Sequence, residues 1–229
     1  MLSIGIVGLP NVGKSTLFNA LVGNKQANAE DYPFCTIEPN VGVVKVPDER
    51  LWKITEVTES EQTVPATIEF VDIAGLVKGA HEGEGLGNEF LSHIKEVDAL
   101  AHVISDFNTE GSEQIEPKEA ADIVNLELIM ADWQTVSSHK EKVERETKGG
   151  ADKEKKIELN LLRKLSETLE QGKPARSLDF KPKEKEFLSK MNLLSNKPLM
   201  YVINTHKDSL DKCELTIEED IKHIYLNAK

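Results

Sequence analysis

The sequence predicts an α/β fold, a mostly parallel sheet with helices on both faces and an α-helical hairpin inserted into it. Three observations predict this. Short β-branched runs alternate with helical patterns along much of the 229-residue chain. The first of those runs leads straight into a glycine-rich turn that opens a helix. From about Ala120 to Lys190 the alternation gives way to long, charged, heptad-like segments.

The strands expected in order are Leu2–Val7, Val41–Val46, Thr67–Ile73, Ala99–Ser105 and Leu199–Asn204. Their near-continuous apolar character suits parallel strands buried on both faces. Helices are expected over Lys14–Val22 and Asn88–Val97. The first arm of the hairpin carries apolar residues at Ile123, Leu126, Met130, Trp133 and Val136. The second, Lys155–Leu169, carries Ile157, Leu161, Leu162, Leu165 and Leu169. Lys148-Gly149-Gly150-Ala151-Asp152 forms the tip, and Gly172-Lys173-Pro174 ends the second arm before a loop to the last strand. The expected organisation is the first part of the α/β unit over 1–119, the hairpin over 120–190, and an incomplete second part of the α/β unit over 191–229.

Composition bounds the partners. The net charge is -12 and the pI about 5.1, so the bulk surface repels nucleic acid and no direct DNA contact is expected. Charge is uneven, however: between His139 and Lys190, 15 Lys and Arg stand against 11 Asp and Glu, and elsewhere 13 stand against 29. The hairpin therefore reads either as a solvated helical face or as a basic arm for RNA or an acidic partner. Cys35 and Cys213 have no metal-ligand spacing, which fits a reduced, cytoplasmic setting. No stretch approaches the roughly 20 apolar residues of a membrane span, and Met1–Val7 lacks the basic start of a signal peptide.

The turn after the first strand is Gly8-Leu9-Pro10-Asn11-Val12-Gly13-Lys14-Ser15, which matches the P-loop pattern in its strand–loop–helix context. Gly8 and Gly13 permit backbone conformations that a Cβ would obstruct. The loop amides then turn inward onto phosphates at the helix N-terminus. Lys14 is expected to reach the β- and γ-phosphates, and the Ser15 hydroxyl to coordinate Mg²⁺. Nucleotide contacts are expected from Asn11, Val12, Gly13, Lys14, Ser15 and Thr16.

Asp72-Ile73-Ala74-Gly75 closes the third strand. A carboxylate there is costly unless it has a task, and Asp72 is expected to hold Mg²⁺ through water while the Gly75 amide senses the γ-phosphate. Thr36, within Tyr32–Asn40, stands where a switch threonine would close on Mg²⁺. The catalytic set expected is Lys14, Thr36 and Gly75. The glycines of Lys78–Gly87 suit a switch segment. They do not make a dinucleotide fingerprint, because they follow the wrong strand.

These segments, read as GLPNVGKS, YPFCTIEPN, DIAGLVKGA and GEGLGNEFL, resemble the YchF or Obg-like ATPase family across almost all of the first 100 residues. The similarity continues more weakly through Asp122–Leu128 and Lys148-Gly149-Gly150. The resemblance implies a P-loop GTPase-type fold with an inserted helical hairpin, ATP hydrolysis, ribosome association and a role in translation or stress. The family's TGS domain is not found in these 229 residues, nor is its final base-side motif visible.

Base choice is open at Asn204-Thr205-His206-Lys207-Asp208, where Asn204, Thr205 and His206 are the expected base-side contacts. GTPases of this fold carry Asn-Lys-x-Asp and Obg-like ATPases Asn-x-x-Glu. Counting from Asn204 puts Lys207 fourth, and a lysine cannot accept hydrogen bonds from guanine. Counting from Thr205 puts Asp208 at the guanine-reading spacing. ATP is favoured on the resemblance, with an Obg-like GTPase as the alternative.

Leu76 stands where Ras-type GTPases place the water-orienting glutamine, so hydrolysis is expected to be slow or to use another group. Relatives have been thought to use a histidine in the loop after the fourth strand, but Asp106–Lys118 contains none. His81 is a candidate, also readable as a solvated loop residue. Asn11 matches an asparagine that binds K⁺ in some related enzymes, which implies K⁺ as a second cation. A binding module whose hydrolysis only resets a switch is a further alternative.

Overall fold

The structure is a computed structural model that describes residues 1–23, 41–73, 86–107, 115–148, 150, 152–212 and 215–228, without the side chains of 86–89, 209, 211 and 212. Among the described residues there are six strands: β1 (Leu2–Val7), β2 (Val41–Lys45), β3 (Thr67–Asp72), β4 (Ala99–Ser105), β5 (Leu199–Asn204) and β6 (His223–Leu226). They form one sheet in the order β2-β3-β1-β4-β5-β6. The α-helices described with them are α1 (Lys14–Val22), α2 (Glu49–Thr58), α3 (Leu86–Glu96), α4 (Pro117–Thr147), α5 (Lys153–Glu170) and α6 (Pro182–Met191). This is the expected α/β architecture.

Successive strand residues point to opposite faces, and the core divides accordingly. On one face Val7 and Leu100 meet Phe90, Ile94 and Val97 near α3 and Val124 and Leu128 of α4. On the other, Ile6, Ala101, Val103 and Val202 meet Leu17 and Phe18 of α1. Each large side chain so buried contributes roughly 1.5–3 kcal/mol.

The structure differs from the expectation in several places, beginning with α2, which was not expected. β2 is antiparallel to β3, with Val41 opposite Val71 and Lys45 opposite Thr67. An extended β-branched run does not encode strand direction, and an antiparallel edge strand on a parallel sheet is a common arrangement. β6, unforeseen, adds a parallel strand beside β5. The stretch between Pro174 and β5 is not a plain loop. It holds 3₁₀ turns at Ala175–Ser177 and Leu194–Asn196 on either side of α6. There Pro182 opens the helix, and the Glu184 carboxylate accepts from the Lys181 N–H at 2.8 Å.

α4 serves two cores. Its first turns lie on the sheet, where Ala120 and Ala121 join Ile104, Tyr201 and Ile203, so the expected boundary at residue 120 falls inside this helix. Farther on, Ile129, Val136 and Val143 pack with Leu161, Leu162, Leu165 and Leu169 of α5. Leu126, expected in that apolar seam, is instead 51% exposed. The stripe of α4 is set by the sheet at that level, and Leu126 lies off it. Gly150 at the tip takes a left-handed φ of +113°, and Asp152 caps α5 by accepting from the Lys155 N–H at 2.8 Å.

The root of the hairpin is polar and closely bonded. The buried Asp132 carboxylate of α4 accepts from the Leu194 N–H (2.9 Å), the Ser195 N–H (2.7 Å) and the Ser195 hydroxyl (2.6 Å). Lys197 Nζ donates to the Val97 carbonyl at 2.7 Å, just beyond α3, and to Asn192 Oδ1 at 3.0 Å.

Candidate functional site

The C-terminal ends of β1, β3, β4 and β5 open on one edge of the sheet, the edge where ligands of open α/β folds bind. The turn from β1 into α1 occupies its centre. Gly8 takes φ +150° and Gly13 φ +98°. A Cβ on Gly8 would collide with the Val103 carbonyl, and one on Gly13 with the Asn204 amide. Asn11 also takes a left-handed φ of +64°, which asparagine tolerates better than most side chains.

Lys14 opens α1 and is buried. Its ammonium donates to the Leu9 carbonyl at 2.8 Å, folding the side chain back across the loop. Burial pushes its pKa below the ordinary lysine value, and the negative charge of Asp72 partly offsets this. Asp72 is half-buried at the end of β3, paired in register with Ile6. Val12 is buried in the α1-side core. Ser15 and Thr16, in the first turn of α1, and Asn11 are exposed. Thr36, Gly75, Leu76 and His81 lie outside the described residues, as do Cys35 and Cys213.

Asn204 ends β5 and ties the loop to the far side of the site. Its amide nitrogen donates to the Val12 carbonyl at 3.0 Å, and its amide oxygen accepts from the Ala228 N–H at 3.0 Å. Thr205 faces a different way. Its buried hydroxyl donates to Asp106 Oδ2 at 3.2 Å, and its carbonyl accepts from Asn227 Nδ2 at 2.8 Å. His206 is exposed, with its ring 5.3 Å from that of Phe107. Asp208 is exposed in a 3₁₀ turn over Lys207–Lys212.

The structure thus brings Val12, Gly13, Lys14, Asp72 and Asn204 together, with Asn11, Ser15 and Thr16 at the exposed rim. Sequence reasoning missed Asp106, Phe107, Asn227 and Ala228. The first two could have been found, because they directly follow β4 at the ligand-binding edge. The last two follow a four-residue strand too short to announce itself.

His102 lies at the middle of the sheet, in register with Val7 and Tyr201. It is buried, and neither ring nitrogen has a hydrogen-bond partner among the described residues. Burial, aided by Arg176 and Lys14, pushes its pKa down to about 3. Its ring lies 5.4 Å from that of Tyr201.

Residues 3–143 match a family model described as "50S ribosome-binding GTPase". The chain is 49% identical over 215 residues to the Ribosome-binding ATPase YchF of Bacillus subtilis, covering 91% of this chain and 58% of that protein. It is 44% identical over 220 residues to Obg-like ATPase 1 of Rattus norvegicus, covering 92% and 55%. The solved structure of the Schizosaccharomyces pombe YchF GTPase superposes with a TM-score of 0.80 at 34% identity, over 99% of this chain and 65% of that one. The chain spans a little over half the length of these curated relatives. Among the described residues, no helix is long and apolar enough to cross a membrane.

Proposed function

The chain belongs to the YchF and Obg-like ATPase family, and we propose on that premise that it is a cytoplasmic, ribosome-associated switch that binds Mg²⁺–ATP and hydrolyses it slowly. The observation that carries this reading is the hydrogen bond from Asn204 to the Val12 carbonyl, which joins the Gly8–Ser15 loop to the end of β5.

The chemistry follows from the residues. The loop amides and Lys14 bind the β- and γ-phosphates. Lys14 loses little on swinging from the Leu9 carbonyl to a phosphate, because both are oxygen acceptors and burial already favours an anionic partner. The exposed hydroxyl of Ser15 and the half-buried carboxylate of Asp72 are hard oxygen donors on the same edge, a set suited to Mg²⁺. Thr36 would join them. Mg²⁺ neutralises charge on the β- and γ-oxygens when bound. Asn11, exposed on the loop, is where K⁺ would be held; equal turnover in Na⁺ and K⁺ buffers would remove that cation from the account.

ATP is favoured over GTP by the role of Asn204. It makes both the loop contact and the Ala228 contact, whereas the Thr205 hydroxyl is engaged by Asp106. Counting from the residue that ties the site together puts Lys207 in the fourth place, and Asp208 falls one position too far. A base site lacking a guanine acceptor discriminates against guanine by leaving its donors unpaired. The second reading, a GTPase, draws on Asp208 and on relatives described as GTPases. Competition of ATP and GTP for a fluorescent nucleotide decides between them. Preference for GTP would overturn the ATP reading.

Ribosome association draws on the names of the relatives and on the basic excess of the hairpin. With Leu76 in place of a water-orienting glutamine, intrinsic turnover is expected to be slow. Single-turnover hydrolysis with and without ribosomes tests this. No hydrolysis in either condition would leave a nucleotide-gated binding module.

A further inference from the structure

A polar cluster beneath the base side of the site belongs neither to the phosphate loop nor to the apolar seam of the hairpin. Glu218 lies in the segment that leads into β6. Its Oε1 accepts from the Tyr201 hydroxyl at 2.5 Å and from Asn125 Nδ2 at 3.2 Å. Arg176 comes from the 3₁₀ turn that follows α5. It stands 3.7 Å from the same Glu218 oxygen, donates to Asn125 Oδ1 at 3.1 Å and reaches the Ser195 carbonyl at 3.3 Å. One guanidinium therefore hydrogen-bonds α4 and the return from the hairpin and stands at ion-pair distance from the segment before β6.

What that segment does next gives the cluster its consequence. Glu218 is followed by β6, and β6 by Asn227 and Ala228. The Ala228 N–H is held by Asn204, and Asn227 holds the Thr205 carbonyl. The Ile217 N–H bonds His223 Nε2 at 2.9 Å, and the Tyr225 hydroxyl donates to the Leu215 carbonyl at 2.9 Å. Both bonds run from residues just before Glu218 to β6. Glu218 and the residues that carry Ala228 to Asn204 are thus linked through one short stretch of chain.

We propose that Arg176 is a positioning residue for the nucleotide base: by fastening Glu218 to the root of the helical hairpin, it sets where β6 places Ala228 against Asn204, and it couples movement of the hairpin to nucleotide affinity. The inference rests on the nucleotide reading above. It asks for nothing at the phosphate loop, which lies on the other side of Asn204. Arginine suits the task because its planar fork reaches Glu218, Asn125 and Ser195 at once; a lysine presents one point charge.

The test compares two ligands in the full chain: Mg²⁺–ATP, which has a base, and inorganic triphosphate with Mg²⁺, which does not. Arg176→Lys and Glu218→Gln are the variants, both close in shape to the native side chain. Each is expected to weaken ATP binding by on the order of fivefold or more, the lower end of ordinary coupling between sites, and to leave triphosphate affinity within about twofold. In the Asn204→Ala background the effect of Arg176→Lys on ATP should vanish. Parallel losses for both ligands would make Arg176 a general structural tie and overturn the proposal, as would unchanged ATP affinity in both variants. A wild-type chain that binds neither ligand overturns the nucleotide reading and this proposal with it. A wild type that binds both, with variants indistinguishable from it, overturns the proposal alone.

Discussion

Asn204 Nδ2 donates to the Val12 carbonyl at 3.0 Å, across 192 residues of sequence. The same side chain accepts from the Ala228 N–H. One amide thus joins the loop after β1, the end of β5 and the segment after β6. Both halves of the amide are used, and the side chain is buried.

Replacing Asn204 with alanine leaves the Val12 carbonyl and the Ala228 N–H without partners. Each lost bond of this kind costs about 1–3 kcal/mol. Nucleotide affinity is expected to fall by roughly tenfold or more, as measured by titration calorimetry with Mg²⁺–ATP. Affinity within twofold of wild type would mean that the tie does not shape the site.

The hairpin stands on its leucines. Leu165 of α5 is fully buried among Val136, Leu161, Leu162 and Leu169. Leu165→Ala is expected to cost about 2–5 kcal/mol of stability, read from urea denaturation. A loss below about 1 kcal/mol would show that the two arms do not pack as described.

At the hairpin root, Asp132→Ala removes the acceptor for two backbone N–H groups and the Ser195 hydroxyl in a buried setting. Burial raises the Asp132 pKa, and those hydrogen bonds oppose the rise. Loss of the acceptor should destabilise by about 3 kcal/mol, as expected when one side of a buried polar network is removed. Thermal unfolding checks it, and a midpoint unchanged in the variant would contradict the assignment.

His102 makes stability depend on pH. Its pKa is about 3 in the fold against 6.5 ordinarily. As pH falls below about 6.5, the unfolded chain takes up a proton that the fold refuses. The stabilisation is therefore complete above that pH and is lost toward about 3, at up to about 1.4 kcal/mol per unit. His102→Leu should remove this share of the acid sensitivity, so its advantage over wild type grows between pH 7 and 4.5. A difference that stays flat with pH would contradict the buried, neutral assignment.

Much of this arrangement could be read from residues alone, for reasons that are local. The P-loop spacing, the strand leading into it and Asp72 at the end of β3 all record themselves within a few positions. The arms of the hairpin do so through the spacing of Leu161, Leu165 and Leu169. Other features depend on partners far along the chain. The direction of β2 is set by its pairing with β3, which no run of valines encodes. α6 is half Lys and Glu, with Phe187 and Leu188 its only large apolar side chains before Met191, so its pattern is thin. The meeting of Asn204 with Ala228 depends on β6, a strand of four residues. The choice between counting from Asn204 and from Thr205 could be weighed only once their hydrogen bonds were known.

The central claim is that Gly8–Ser15 grips a triphosphate through Lys14. Calorimetric titration of Mg²⁺–ATP into the wild-type chain and into Lys14→Ala tests it most directly. Saturable binding to the wild type and loss of tight binding in the variant are expected. Equal affinity in the two would contradict the claim.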